Sequence, residues 1–132
     1  MAAEEETGRI PNVMPFYNQD GRAVLYLYQG NDFYLYDGSP VAWLQNGENI
    51  YSYEGRYIGR LQSGWIRDLH GYAAFFSRGC SGGPERPERQ ASPVRSPHGA
   101  RRARFAGEPL PRRMICISAW SSCGDESFFL AD

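Results

Sequence analysis

A two-glycine signature recurs four times in the first two thirds of the chain, and it constrains the fold more than any other feature. An acid or histidine followed by glycine occurs at Asp20-Gly21, Asp37-Gly38, Glu54-Gly55 and His70-Gly71, with successive glycines 17, 17 and 16 residues apart. A second glycine follows each first one, at Gly30, Gly47, Gly64 and Gly79, after 9, 9, 9 and 8 residues. Double regularity of this kind marks a tandem structural repeat, in which each copy is one small unit and neighbouring copies share a core. Glycine at such positions supplies the positive φ that tight turns need.

Between the glycines the residues alternate with a period of two. Three positions after each first glycine stand Val24, Val41, Ile58 and Ala74, and five after it Tyr26, Trp43, Arg60 and Phe76; a strict period of two puts both sets on one strand face. Leu27, Leu44, Leu61 and Ser77 fall on the other face, and Phe33, Ile50 and Ile66 open a second, shorter strand. Each unit therefore reads as strand, glycine turn, short strand, Asp-Gly-type turn. Apolar groups lie on both faces of the first strand, so something has to cover the second face. A lone hairpin is marginal in water, which requires the four to share a core around a pseudo-fourfold axis. The fourth copy, with Ala74 and Ser77 in the weak positions, reads as the worn closing unit.

At this point the residues resemble a known family. Tyr36 to Leu44 (YDGSPVAWL), Tyr53 to Leu61 (YEGRYIGRL), Leu69 to Phe76 (LHGYAAFF), the following Gly79 to Pro84 (GCSGGP), and an ending with Ser118-Ala119-Trp120 and Phe128-Phe129 are similar to the bacterial four-fold β-flower proteins. The resemblance spans most of 16–129 and implies a four-petal β architecture; it implies no reaction. The tail departs from the family habit of short Pro-Leu-basic repeats, of which only Pro109-Leu110-Pro111-Arg112 keeps the flavour. The expected fold is all-β: four two-stranded hairpin repeats around a pseudo-fourfold axis, then an extended Arg/Pro-rich tail. Its expected divisions are an N-terminal extension over 1–15, the repeat domain over 16–79, a Gly/Pro/Arg-rich segment over 80–113 and a docking segment over 114–132.

The segment from Pro84 to Arg113 holds six of the nine prolines, and its eight arginines against three glutamates leave it net +5, while the rest of the chain is net −6. Alone, such a stretch is extended or disordered. Apolar Met114 to Ile117, Trp120 and Phe128-Phe129 follow it, so the tail is expected to lie along the petals, with Ile115 to Phe129 docked on an open face of its own or a neighbouring subunit. An acidic body and a basic tail attract each other, which makes self-association the leading partner expectation. Arg101, Arg102 and Arg104 are the candidate nucleic-acid or partner contacts, but a pI near 6.1 argues against a nucleic-acid footprint.

The leading functional expectation is a non-catalytic interaction module. The alternative is a carbohydrate or small-ligand binder in which Tyr26, Trp43, Arg60 and Phe76 form a ring, either as core or as a stacking cup. Gly79 to Pro84 is one residue away from the nucleophile loop of chymotrypsin-like proteases, yet only His70 and His98 exist as bases and the chain is too short for two barrels, so no catalysis through Ser81 is expected. His70 shares a slot with Asp20, Asp37 and Glu54, and its side chain is expected to bond turn backbone. No cofactor and no metal are expected, since neither histidine nor any cysteine sits at ligand spacing. Cys80, Cys116 and Cys123 form no Cys-x-x-Cys pair and read as ordinary buried thiols of a reducing, cytoplasmic protein. No run approaches the length needed to span a bilayer as a helix, and the acidic start lacks a signal-peptide pattern.

Overall fold

The computed structural model describes residues 12–100, 102–110 and 115–129. Eight strands follow one another: β1 (Val13–Tyr17), β2 (Ala23–Tyr28), β3 (Asp32–Leu35), β4 (Pro40–Gln45), β5 (Asn49–Tyr51), β6 (Tyr57–Gln62), β7 (Trp65–Arg67) and β8 (Ala73–Phe76). Each pairs antiparallel with its sequence neighbours, and β8 returns to β1, so the sheet is a closed barrel. Closure removes the free edges that four separate hairpins would leave. The closing contact is the shortest, a single register pair of Tyr17 with Phe76.

Two kinds of turn alternate around the barrel. Those leading from β2, β4 and β6 use Gln29-Gly30, Asn46-Gly47 and Ser63-Gly64, with φ of 54 and 72, 56 and 72, and 52 and 83 degrees. Two successive positive φ values make the type I′ turn whose twist matches a two-stranded ribbon. The turns leading out of β1, β3, β5 and β7 lie at the opposite end and carry Gly21, Gly38, Gly55 and Gly71 at φ of 83 to 96 degrees. In the second of these turns Asp37, in the expected slot, accepts from the Ser39 N–H at 2.9 Å, but in the other three the capping side chain, Asn18, Ser52 or Asp68, lies two residues earlier. Asn18 Oδ1 accepts from the backbone N–H groups of Asp20 and Arg22, and Asp68 Oδ1 from those of His70 and Tyr72. The His70 backbone is thus the donor, and its side chain is exposed; the expectation of a capping role for that side chain is corrected.

Every one of these four hairpins also contains a β-bulge at the same place. Phe16 faces Leu25 while Tyr17 faces Ala23, and the same step recurs between Phe33 and Tyr34, Ile50 and Tyr51, and Ile66 and Arg67. Val24, Val41, Ile58 and Ala74 are the extra residues. A bulge re-aims the chain, so these four pack toward the interior cluster with Phe16, Leu25, Leu27, Phe33, Ala42, Leu44, Ile50, Ile66 and Phe75. Tyr26, Trp43, Arg60 and Phe76 instead face outward. The shared face expected from strict alternation is therefore wrong, and the bulge is the reason.

The repeat also begins earlier than expected. Phe16 stands where Phe33, Ile50 and Ile66 stand in the later units, so β1 is the first short strand and each petal is an odd–even pair, β1β2 to β7β8. The fourth petal is complete, and residues 13–15 belong to the barrel; residues 1–11 of the expected extension lie outside the described residues. After β8 the chain wraps the outside and returns through a 3-10 turn, Glu126–Phe128, capped by Asp125. Phe128 and Phe129 then join the interior cluster. Phe75 meets them at ring-centroid distances of 5.4 and 6.1 Å. Phe128 lies 3.5 Å from where a Cβ on Gly59 would stand, and Gly59 and Ala42 hold the positions equivalent to Leu25 and Phe75. Small residues on two petals make room for the plug that Phe75 stacks upon.

Candidate interaction surface

The outer wall of the barrel is unusually aromatic. Tyr26 stacks on Tyr34 at 5.8 Å, Trp43 on Tyr51 at 5.5 Å, and Tyr17, Trp65 and Phe76 cluster with Trp120 of the tail. Such a wall would leave a large apolar area in water. The segment after Cys80 covers it, which answers the two-faced character of the strands.

The segment is held at one rim by a ladder that visits the petals in order. The carbonyl of Gly21 accepts from the Gln90 N–H at 2.8 Å and that of Gly38 from Gly99 at 2.8 Å. Gly55 accepts from Gly107 at 3.1 Å and Glu108 at 2.9 Å, and Gly71 from Ile117 at 3.0 Å. The belt thus advances about nine residues per petal, a spacing set by the barrel and invisible in the belt's own composition. Close approach explains these glycines beyond their φ. A Cβ on Gly21 or Gly38 would lie 2.1 Å from the carbonyl oxygen of Glu88 or Pro97, and one on Gly71 1.7 Å from that of Ile115.

Between the rungs, arginines of the belt lie over aromatic rings of the wall. Arg89 covers Tyr17 at 5.8 Å, Arg95 Tyr26 at 5.3 Å, Arg102 Tyr53 at 5.3 Å and Arg104 Trp43 at 5.6 Å, all within cation–π range. Arg104 also meets the buried carboxylate of Asp32 at 2.7 Å, which accepts a further hydrogen bond from the Tyr53 hydroxyl at 2.5 Å. Burial, then the bond to Asp32, pushes the Tyr53 phenol far above its ordinary range. Arg102 pairs with Glu54 at 3.0 Å and holds that carboxyl below the usual range. On the fourth petal the polarity reverses. Buried Arg67 of the wall donates to the carbonyls of Gly71 at 2.7 Å and Ile117 at 2.8 Å.

The structure places the expected ring on four different sides of the barrel. Tyr26, Trp43, Arg60 and Phe76 lie on β2, β4, β6 and β8, facing outward, so they form neither a common core nor a cup on the axis. Tyr26 and Trp43 are covered by belt arginines, Arg60 pairs with Glu48 at 3.0 Å, and Phe76 packs on Trp65 and Trp120. Arg102 and Arg104 are turned onto the chain's own acids. Arg101, Arg112, Arg113 and Met114 lie outside the described residues. Ser81 and His70 are at opposite ends: the Ser81 N–H bonds the Ser63 carbonyl in a type I′ turn, whereas His70 lies in a rim turn. The Gly79 to Pro84 loop wraps Trp65, whose Nε1 donates to the carbonyls of Ser81 and Gly82.

Of the cysteines Cys80 is buried, Cys123 half-buried and Cys116 exposed, so the expectation of three buried thiols holds only for Cys80; all three are free. Among the described residues no group of three or more His, Cys, Asp or Glu side chains is arranged to hold a metal ion, and no helix is long and apolar enough to cross a membrane. Sequence reasoning missed the rim carbonyls as the attachment points and missed His98, which the belt inserts between Tyr28, Tyr34 and Tyr26. No local sequence signal marks either, because both depend on the register of the belt against the barrel.

A closed meander of four bulged hairpins with an outer belt defines the class: a four-petal antiparallel barrel. The family model described as "4-fold beta flower protein" matches residues 14–129, and the chain belongs to that family. Comparison with curated proteins and with solved structures finds no match.

Proposed function

We propose that this protein is a non-catalytic interaction module whose working surface is the outer wall and glycine rim, and which self-associates by exchanging its belt between copies. The observation that carries the reading is the ladder of belt N–H groups onto the carbonyls of Gly21, Gly38, Gly55 and Gly71. It is a surface built to grip an extended Arg/Pro-rich segment by backbone bonds, with aromatic faces selecting guanidinium groups. The same contacts are available to the belt of a second copy, because exchanging identical elements changes few interactions. Engagement of Arg102 by Glu54 and of Arg104 by Asp32 argues against nucleic acid as the partner. The separation of Ser81 from His70 argues against hydrolysis.

Exchange is tested with the full chain, by unfolding donor-labelled and acceptor-labelled copies together and refolding them at low and high concentration. Light scattering should report dimers or larger closed assemblies at high concentration, with energy transfer between labels on barrel and belt. A product that stays monomeric at every concentration, with no transfer, would overturn the exchange.

A further inference from the structure

We propose that Tyr26, Tyr28 and Tyr34 form a receptor site for a tetrahedral ammonium cation, and that His98 is its built-in stand-in. The three rings surround the imidazole with centroid distances of 4.4 Å for Tyr28, 4.5 Å for Tyr34 and 5.7 Å for Tyr26. The Tyr28 and imidazole planes meet at 76 degrees, while Tyr26 and Tyr34 stack on each other and Tyr28 meets Tyr34 at 86 degrees. Two walls at right angles and a third beside them make an open-sided box. Aromatic boxes attract cations through the negative faces of the rings, and a compact quaternary ammonium gains most from such a shape.

The repeat accounts for part of the box and not for all of it. Tyr26 and Tyr34 are register partners, at positions that Trp43 and Tyr51 fill in the next pair of strands. Tyr28 has Gln45, Gln62 and Arg78 as its equivalents, so only the β2–β3 pair has a third ring. All three rings stand on paired strands, which lowers the ordering cost of binding between them. Charge around it is mixed. Arg95 lies over Tyr26 at 5.3 Å, and Asp32, the register partner of Tyr28, brings a carboxylate that Arg104 and Tyr53 engage.

His98 can leave without undocking the belt. Backbone bonds from Ser96 to the Tyr36 carbonyl, at 2.9 Å, and from Gly99 to that of Gly38, at 2.8 Å, fix the chain on both sides of it. A side-chain rotation is then the gate, while the belt segment 91–97 stays exposed along the wall. This reading does not depend on belt exchange between copies.

The test uses the full chain, with choline as the cation and 3,3-dimethylbutan-1-ol as its neutral isostere, followed by perturbation of tyrosine ring signals in NMR spectra. His98→Ala should bind choline about tenfold more tightly than the neutral isostere, as a cation–π preference requires, and more tightly than the wild-type chain binds choline. Adding Tyr28→Leu, which keeps apolar bulk and removes the ring face, should abolish the preference while the Gly99 amide remains protected from exchange. Equal affinity for cation and isostere in His98→Ala, or no perturbation by either, would overturn the proposal.

Discussion

The rim glycines do two jobs, and the two can be separated at the scale of single residues. Gly47 lies in a type I′ turn at φ 72 degrees with nothing within 4 Å of a Cβ placed there, so Gly47→Ala meets only the backbone strain of a left-handed residue, about 1 kcal/mol. Gly38 has φ 96 degrees and a Cβ there would stand 2.1 Å from the Pro97 carbonyl. Gly38→Ala should therefore cost a further ~2 kcal/mol in urea unfolding, because the Gly99 bond and its packing are lost with the strain added. Tyr53 gives a pH signature. Its phenol holds its proton more tightly when folded than when unfolded, so its contribution is complete below pH ~10 and falls as pH rises above that value. Tyr53→Phe should be less stable at neutral pH, since the buried Asp32 carboxylate loses one hydrogen bond, yet show an alkaline slope shallower by up to about 1.4 kcal/mol per pH unit. Burial raises Tyr26, Tyr36 and Tyr57 as well, so the slope should not vanish.

At the scale of elements, the hairpins were legible because glycine spacing and β-alternation are local properties. The bulge was not. A single extra residue at Val24, Val41, Ile58 and Ala74 leaves the strand looking regular in sequence while turning Tyr26, Trp43, Arg60 and Phe76 from the inner to the outer face. The role of β1 was hidden for a related reason, since Val13 to Tyr17 carries no Asp-Gly step before it and resembles its fellows only once Phe16 is aligned with Phe33. The C-terminal element was anticipated to dock on an open petal face; Trp120 packs there against Trp65 and Phe76, while Phe128 and Phe129 go further and enter the interior cluster. Phe129 is buried there against Phe75, with Phe128 opposite Gly59, so Phe129→Ala should destabilise the barrel by about 3 kcal/mol in equilibrium unfolding, as a buried phenylalanine requires. An unchanged midpoint would show that the plug does not share the core.

For the whole molecule, charge asymmetry predicted attraction between tail and body but not its geometry. The acidic body and basic belt pack as one unit, in which Asp32 and Glu54 meet Arg104 and Arg102 and the aromatic wall also takes the guanidinium groups of Arg89 and Arg95. On the proposed reading, function in this family member is a matter of what the wall grips, with the belt as the example of the chemistry that fits. The most direct measurement is residue-resolved amide hydrogen exchange on the full chain. The N–H groups of Gln90, Ser96, Gly99, Gly107, Glu108 and Ile117 should be protected nearly as well as those of the barrel strands, with the exposed belt residues that donate no backbone bond exchanging fast. Fast exchange along the whole of 90–117 beside a protected barrel would contradict the belt, and with it the surface proposed to work.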